Sequence, residues 1–333
     1  MRMKWFDLWL LVSGIIVPVL GVADAIATPI PLAQAPSNEA GDERIFTPTL
    51  PPNTTDTLPS NRPAGERPAT DYRISALQQD FTGSLWIGTW QGQIARINPE
   101  TGSVQARISL PSRTVGAMAQ DNVGRVWVGT YAGLVRVDPR TNQITAQNFS
   151  LPSNQVLSLT IDSRGFLWVG TDQGLAMISP DQGLLMTTLQ ELPGISANVM
   201  ALDNNDNLWV GTLTGLVQVD TASAYTMRVV LNIPGQMVQA LAVDAQGNLW
   251  VGTPNGLVVV DPETGEVIRS VGNMEGQNIT SLAFDSNQAL WIGTQEGLYT
   301  MNPYNGEILG QVRGLPGRRI FSISPDTGNK VWV

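Results

Sequence analysis

The sequence contains no histidine and no cysteine among its 333 residues. This excludes disulfides, thiolate nucleophiles, the imidazole general base and the usual zinc ligands, so we expect no metal site and no cofactor. Basic residues are also scarce, since 19 Lys and Arg stand against 28 Asp and Glu and leave a net charge of −9. Nucleic-acid binding depends on cations that neutralise phosphates, and the composition therefore argues against a nucleic-acid partner.

Long apolar runs are confined to the N-terminus. A basic start, residues 1–4, precedes an apolar run at residues 8–22 and small residues at 23–27. This pattern predicts a signal peptide over residues 1–27 and an exported protein, periplasmic or extracellular. An uncleaved membrane tether is the alternative, although the run is shorter than the roughly 20 residues of a spanning helix and contains Pro18. After cleavage we expect no membrane insertion.

Residues 28–70 are rich in proline, threonine, serine and asparagine. Such a stretch buries too little apolar surface to offset the entropy lost on ordering, and its prolines favour extended conformers. It is therefore predicted to be a linker. Residues 44–47 are its one strand-like piece.

Seven tryptophans recur at a constant interval of 41 residues. They are Trp86, Trp127, Trp168, Trp209, Trp250, Trp291 and Trp332. A period of about 40 to 45 residues built from short strand-like runs is typical of a β-propeller with one four-stranded blade per repeat. We therefore predict an all-β propeller over residues 71–333.

Each repeat predicts four strands, a to d, with the tryptophan in strand b. In the fifth copy strand a ends at Asp244, Trp250 is followed by Gly252, and Gly256 opens strand c. An aspartate that caps its own turn before a glycine is a hairpin signal. Its recurrence in every copy favours a structural role over catalysis, and the tryptophans are expected to wedge between neighbouring sheets.

The number of blades follows from counting repeats. Six complete copies cover residues 72–317, and strands a and b of a seventh precede Val333. Residues 46–73 have about the right length to supply the missing outer strands. We predict seven blades, with the seventh assembled from both termini or left incomplete; truncation at the C-terminus is the alternative.

The repeat resembles the two-component regulator propeller. The residues that carry this resemblance are Leu249-Trp250-Val251-Gly252-Thr253-Pro254-Asn255-Gly256-Leu257 and the turn Asp261-Pro262-Glu263-Thr264-Gly265. The resemblance covers residues 72–333. It implies the extracytoplasmic sensor region of bacterial hybrid histidine kinases, or a free-standing exported propeller of that type. Since no segment resembles the kinase or receiver domains, we expect any signalling role to be indirect.

Function is predicted at the loops, where the repeats differ most. The b-to-c turns and d-to-a loops of a propeller emerge on one face, and binding residues lie where loops vary over a fixed scaffold. The candidates for ligand binding are Trp90, Gln91, Arg113, Tyr131, Asp172, Gln173, Asn255, Gln295 and Glu296. Trp90 and Tyr131 come from adjacent repeats and are predicted to form an aromatic shelf, although variable turns are also expected where nothing constrains them.

The leading hypothesis is a non-catalytic binding, sensing or scaffolding propeller that recognises a glycan, a peptide or a partner protein; the oligomeric state stays open. An enzyme similar to the streptogramin-type lyases, which share a seven-bladed propeller, is the alternative. Those lyases use a histidine and a metal-binding glutamate, and that mechanism does not transfer to a chain without histidine. Asp172 and Glu296 are the remaining acid and base candidates.

Calcium binding is a third hypothesis, for residues 203–207. Asp203, Asn205 and Asn207 space their oxygens as in the first half of an EF-hand loop. The segment lacks the glycine and the final glutamate of that loop, and it falls on the turn found in every repeat. An ordinary turn is therefore favoured.

Overall fold

The computed structural model describes residues 73–333 with the exception of 113, 148 and 316, all within the compact unit Ile45–Val333. The predicted signal peptide, the linker with its strand-like piece at residues 44–47, and Arg113 lie outside the described residues. The described residues form six four-stranded sheets, and each strand pairs with its neighbours in chain order. Their one helix is a 3₁₀ turn at Gly272–Met274, so no helix among them has the length and apolarity to cross a membrane.

Each sheet is one blade, made of strands a, b, c and d in that order. Blades 1 and 2 are β1 (Ile74–Gln79), β2 (Leu85–Thr89), β3 (Gln93–Ile97), β4 (Val104–Ser109), then β5 (Val115–Gln120), β6 (Val126–Thr130), β7 (Gly133–Asp138), β8 (Gln143–Gln147). Blades 3 and 4 are β9 (Val156–Ile161), β10 (Leu167–Thr171), β11 (Gly174–Ser179), β12 (Leu184–Leu189), then β13 (Val199–Leu202), β14 (Leu208–Gly211), β15 (Leu216–Val219), β16 (Thr226–Val230). Blades 5 and 6 are β17 (Ala240–Val243), β18 (Leu249–Thr253), β19 (Gly256–Val260), β20 (Val267–Ser270), then β21 (Ile279–Phe284), β22 (Leu290–Thr294), β23 (Leu298–Met301), β24 (Ile308–Val312).

The repeated aspartate shapes the turn between strands a and b. In blade 2, Asp121 Oδ1 accepts hydrogen bonds from the backbone N–H of Val123 at 3.2 Å and of Arg125 at 2.9 Å. Gly124 takes a φ of 91°, which a residue with a side chain rarely adopts. The predicted turn role is therefore confirmed. The same carboxylate also accepts a hydrogen bond from the indole Nε1 of Trp127 through Oδ2, a second role that the turn pattern alone did not predict.

The tryptophans of strand b form the core between blades, as predicted. Trp86, Trp127, Trp168 and Trp209 are fully buried, and Trp250 is 1% exposed. Each of these five packs in a cluster that spans its own blade and the next. Because blades 1 to 5 each bury their tryptophan against the next blade, the innermost strands lie side by side in chain order.

The glycine two residues after each tryptophan is explained by the same packing. In blade 2, a Cβ added to Gly129 would lie 2.3 Å from Cγ1 of Val156, the first residue of strand a in blade 3. Only a residue without a side chain admits this approach of a β-branched neighbour. The glycine therefore sets the distance between blades.

An arginine also bridges each of the five junctions between consecutive blades among the described residues. It lies in strand c in blades 1 and 2, in the a-to-b turn in blade 3, and in strand d in blades 4 and 5. In each case the side chain donates to a backbone carbonyl in the c-to-d turn of the next blade. The pairs are Arg96 to Pro139 (3.1 Å), Arg136 to Pro180 (3.2 Å), Arg164 to Thr221, Arg228 to Pro262 (2.8 Å) and Arg269 to Pro303 (2.6 Å). These contacts lie at the end of the blades opposite the b-to-c turns, and they hold successive sheets together where the core ends.

The prediction of seven blades is wrong, because the described residues form six. The seventh copy, residues 320–333 and called here the C-terminal segment, contributes only an isolated bridge between Ser324 and Trp332. Its strand-like pattern finds no strands c and d to pair with among the described residues, so no sheet develops. The segment contacts both end blades instead. The backbone N–H of Ile320 donates to the Thr294 carbonyl in blade 6, and Trp332 packs on blade 1.

Candidate functional site

The b-to-c turns and the d-to-a loops meet at one end of the blades, which we call the loop face. The backbone N–H of Trp90, in the b-to-c turn of blade 1, donates to the carbonyl of Arg73 just before strand a at 3.2 Å. In blade 2 the N–H of Tyr131 donates to the carbonyl of Thr114 at the same distance. These bonds fix the turns beside the start of the innermost strands, as the sequence predicts.

An aromatic group forms on this face around Trp90. The ring centroids of Trp90 and Tyr131 are 6.4 Å apart in an edge-to-face arrangement, and those of Trp90 and Phe321 are 5.5 Å apart. The guanidinium carbon of Arg73 lies 5.4 Å from the Trp90 ring centroid. These four residues, called the Trp90 cluster, come from blade 1, blade 2 and the C-terminal segment, and they confirm that the two rings named from the sequence are neighbours.

The turn that carries Trp90 is one residue longer than its counterparts. In blade 2, Thr130 pairs with Gly133 across the turn, whereas in blade 1 the hydroxyl of Thr89 donates to the carbonyl of Gln93. The extra residue is visible in the sequence as a longer spacing to Asn98. It gives Trp90 a turn unlike the others.

The cluster combines exposed and buried polar atoms. Tyr131 is 42% exposed, and burial of the remainder raises the pKa of its phenol. The indole Nε1 of Trp90 is buried and has no acceptor among the described residues. A buried donor without a partner is rare in folded proteins and is one of the features that mark sites for a water or ligand.

Positive charge is unevenly distributed over the loop face. Arg313, Arg318 and Arg319 are exposed in the loop that leads to Phe321. The loops of blades 3, 4 and 5, at residues 149–155, 190–198, 231–239 and 271–278, contain no lysine or arginine. Apart from Arg73 in the Trp90 cluster itself, the arginines that the structure describes on this face therefore lie in the loop that precedes Phe321.

The remaining predicted residues are dispersed around the loop face. Gln91, Gln173, Asn255 and Glu296 are exposed, and Asp172 and Gln295 are half-buried, each in the b-to-c turn of its own blade. Glu296 Oε2 lies 3.8 Å from Arg318 Nη1. The structure brings together Trp90 and Tyr131 from the predicted set, and Arg113 falls outside the described residues.

Sequence reasoning missed Phe321 and Arg73. A signal for Phe321 existed, because the same column of the repeats holds Ser75, Gly116, Leu157, Asn198, Gln239 and Thr280. An aromatic ring in that column is the exception. Arg73 precedes the first strand and had no comparable signal.

The two acid and base candidates lie far apart in the array. Asp172 belongs to blade 3 and Glu296 to blade 6, with blades 4 and 5 between them. At the suggested calcium segment, Asp203 Oδ1 accepts the backbone N–H groups of Asn205 and Asn207, and Oδ2 accepts the indole N–H of Trp209. Asp203 thus has the same bonding as the turn aspartates of the other blades.

Four segments of the chain match a known family of propeller repeats. The model of the family described as two component regulator propeller matches four segments of the chain, residues 109–132, 150–173, 232–255 and 273–296. The chain carries two-component regulator propeller repeats. Each matched segment runs from the end of strand d, or the loop after it, to the next b-to-c turn, so the family pattern includes the loop face. No curated protein matches the sequence.

Solved structures with the same fold include regulator propellers and an enzyme. The extracellular domain of a candidate one component system from B. thetaiotaomicron superposes with a TM-score of 0.68 at 20% identity, over 80% of this chain and 37% of that one. The extracellular domain of a candidate hybrid two component system from the same organism gives 0.66 at 20%, over 79% and 38%. Catalytically inactive virginiamycin B lyase from Staphylococcus aureus, solved with quinupristin, gives 0.66 at 15%, over 80% and 95%. At these identities the likeness shows the propeller fold, and the chain spans less than two fifths of the two regulator domains.

Proposed function

We propose that this protein is a non-catalytic binding or sensing propeller that acts outside the cytoplasm and recognises its ligand through the loop face. The Trp90 cluster is the observation that carries this proposal. Three aromatic rings and an arginine converge there from three separate parts of the fold. Clustered aromatic and arginine side chains are typical of contact hot spots.

The contrast between the recurring residues and the variable turn residues of each repeat supports this proposal. The aspartate, the tryptophan and the glycine of every blade are occupied with turns and with packing between blades. The turn residues after strand b have no structural role that all blades share, and they differ from blade to blade. Binding sites on rigid scaffolds are built at such positions.

The location and the absence of catalysis rest on separate observations. The two regulator domains with this fold are described as extracellular, and residues 1–27 have the pattern of a signal peptide. The lyase shares the fold, but this chain has no histidine. Asp172 and Glu296 lie three blades apart, and Glu296 faces Arg318, which is a poor arrangement for joint acid and base catalysis.

The test compares two double variants on an array of glycans and peptides. In Trp90→Ala/Tyr131→Ala the half-buried ring of Trp90 and the exposed ring of Tyr131 are removed from the loop face. In the control, Tyr225→Ala/Tyr304→Ala, two rings that are 76% and 66% exposed are removed from the c-to-d turns at the opposite end. We expect the wild type and the control to bind the same probe, and the loop-face variant to lose it while it melts as a folded protein.

Equal binding by both variants would place recognition elsewhere and would overturn the proposal. A product formed from any bound probe, detected by mass spectrometry, would contradict the non-catalytic assignment. The exported location is checked separately, by the mass of the mature N-terminus in the native host.

A further inference from the structure

We infer that the ligand of the loop face is an acidic oligosaccharide, with its sugar rings on the Trp90 cluster and its carboxylate or sulfate groups on the neighbouring arginines. This inference rests on the proposed function and adds the chemistry of the ligand. Three observations support it: the charge of the loop face, the exposure and weak pairing of its arginines, and the polar groups that surround the aromatic rings.

The charge of the face is the first argument. The chain as a whole carries −9, yet the loop that leads to Phe321 presents Arg313, Arg318 and Arg319 within seven residues. On the loop face, the b-to-c turns of blades 3 to 5 and the d-to-a loops at residues 190–198, 231–239 and 271–278 have Asp172, Glu191 and Glu275 as their charged side chains. An anion approaching this face is therefore drawn toward one sector, the one that contains the aromatic rings.

The arginines of this sector retain donors for a ligand. Arg318 faces Glu296 at 3.8 Å, with side chains that are 83% and 64% exposed, so water screens the pair and its contribution is small. Arg319 is exposed and forms no salt bridge within the described residues. Guanidinium groups bind carboxylates and sulfates through paired N–H donors, which gives an anion a stronger partner than the exposed glutamate.

The groups around the rings favour a sugar over a peptide. Tyr131 presents a partly exposed ring that can cover the apolar face of a pyranose. Exposed Gln91 and half-buried Gln295 lie in the b-to-c turns on either side of the C-terminal segment, and side-chain amides donate to and accept from hydroxyls. An acidic peptide would meet the arginines as well, but it lacks ring faces for the aromatic side chains and hydroxyls for the amides.

The experiment measures binding of matched probes to the full chain by calorimetry. The acidic probe is a β-1,4-linked trimer of glucuronate. Cellotriose is its neutral counterpart, which differs only at C6 of each ring, and triglutamate has the same number of side-chain carboxylates without sugar rings. We expect the glucuronate trimer to bind at least about tenfold more tightly than either control. Its affinity should fall as salt is raised.

Two further variants connect this preference to the arginines. Arg318→Ala/Arg319→Ala should weaken the glucuronate trimer by about tenfold or more and leave cellotriose unchanged, whereas Arg318→Lys/Arg319→Lys should keep part of the preference. Arg140→Ala removes an exposed arginine from the opposite end and should have no effect. All three positions are exposed, so we expect these variants to fold.

The outcomes separate this inference from the proposed function. Equal binding of glucuronate and cellotriose, preferred binding of triglutamate, or no binding of the glucuronate trimer at millimolar concentration would overturn the acidic saccharide. The loop face would still stand as the binding surface if Trp90→Ala/Tyr131→Ala loses whichever probe binds. Retention of glucuronate by that variant would overturn both.

Discussion

The indole Nε1 of Trp127 donates a 2.8 Å hydrogen bond to Oδ2 of Asp121, six residues earlier. The pair recurs in all six blades. The other pairs are Trp86 with Asp80 (3.0 Å), Trp168 with Asp162 (3.1 Å), Trp209 with Asp203 (3.0 Å), Trp250 with Asp244 (3.0 Å) and Trp291 with Asp285 (3.0 Å). One aspartate therefore closes a turn and pairs the only polar atom of a buried indole, which explains why both residues recur together.

Removal of this carboxylate is expected to destabilise a blade strongly. In Asp244→Ala the backbone N–H groups of Gln246 and Asn248 and the indole N–H of Trp250 lose their acceptor. Unpaired buried donors cost about 1–3 kcal/mol each, so we expect a loss of about 2–4 kcal/mol. Urea unfolding followed by tryptophan fluorescence measures it.

The control is Asp261→Ala in the same blade. Asp261 accepts two backbone N–H groups in the c-to-d turn, but no indole. Its loss should cost about 1 kcal/mol. Equal costs for the two variants would mean that the indole hydrogen bond contributes nothing.

Stability should also depend on pH through Asp80. Burial raises the pKa of Asp80, but hydrogen bonds from Thr82 and Trp86 and the charge of Arg96 outweigh it and hold the pKa below its ordinary value. The folded state thus binds fewer protons than the unfolded chain in acid, and this contribution to stability is lost as the pH falls through the ordinary aspartate value and below.

Asp80→Asn tests this dependence. We expect the variant to be less stable than the wild type at pH 7 and to lose less of its stability between about pH 5 and about pH 3. Glu263→Gln, at an exposed turn position, should leave the pH profile unchanged. Parallel profiles for Asp80→Asn and the wild type would contradict the assignment.

The spacing between blades is expected to tolerate no side chain at Gly129. Its added Cβ would lie 2.3 Å from Val156 Cγ1 in the next blade, and overpacking of this kind costs about 1–3 kcal/mol. Gly310→Ala is the control, because the nearest atom to its added Cβ, in Thr300, is 3.6 Å away. We expect Gly129→Ala to lower the melting temperature and Gly310→Ala to leave it at the wild-type value.

The cation at the junction of blades 2 and 3 should contribute more than a surface arginine. Arg136 donates to the Pro180 carbonyl and lies 5.6 Å from the Trp127 ring centroid. We expect Arg136→Ala to cost about 1–2 kcal/mol. Arg140→Ala should stay within about 0.5 kcal/mol, because the side chain of Arg140 is 88% exposed in its pair with Asp138. Indistinguishable unfolding curves would show that the junction does not need the cation.

The periodic residues made most of the fold predictable. Strands a of blades 1 and 2 end at Gln79 and Gln120, directly before the repeated aspartate that the sequence places at the end of each strand a, because an aspartate that caps its own turn marks where a strand stops. The number of blades was not predictable in the same way. Counting Trp332 assumed that each copy brings four strands, whereas the C-terminal segment forms a single bridge.

The sequence predicted two of the four residues of the Trp90 cluster, Trp90 and Tyr131. Trp90 and Tyr131 occupy equivalent turns of adjacent repeats, so the periodicity alone made them neighbours. Phe321 reaches Trp90 only because the C-terminal segment lies beside blade 1. That contact depends on how the two ends of the array meet, which no single repeat encodes.

The contact between the C-terminal segment and blade 1 also determines the order in which the blades assemble during folding. Lys330 Nζ donates to the carbonyl of Pro99 across 231 positions of the chain, while each blade is built from neighbouring strands. Local hairpins form quickly and distant contacts slowly. Blades 1 to 5 are therefore free to pack one after another as they leave the ribosome, and the junction beside Trp90 is completed only when residues 320–333 arrive.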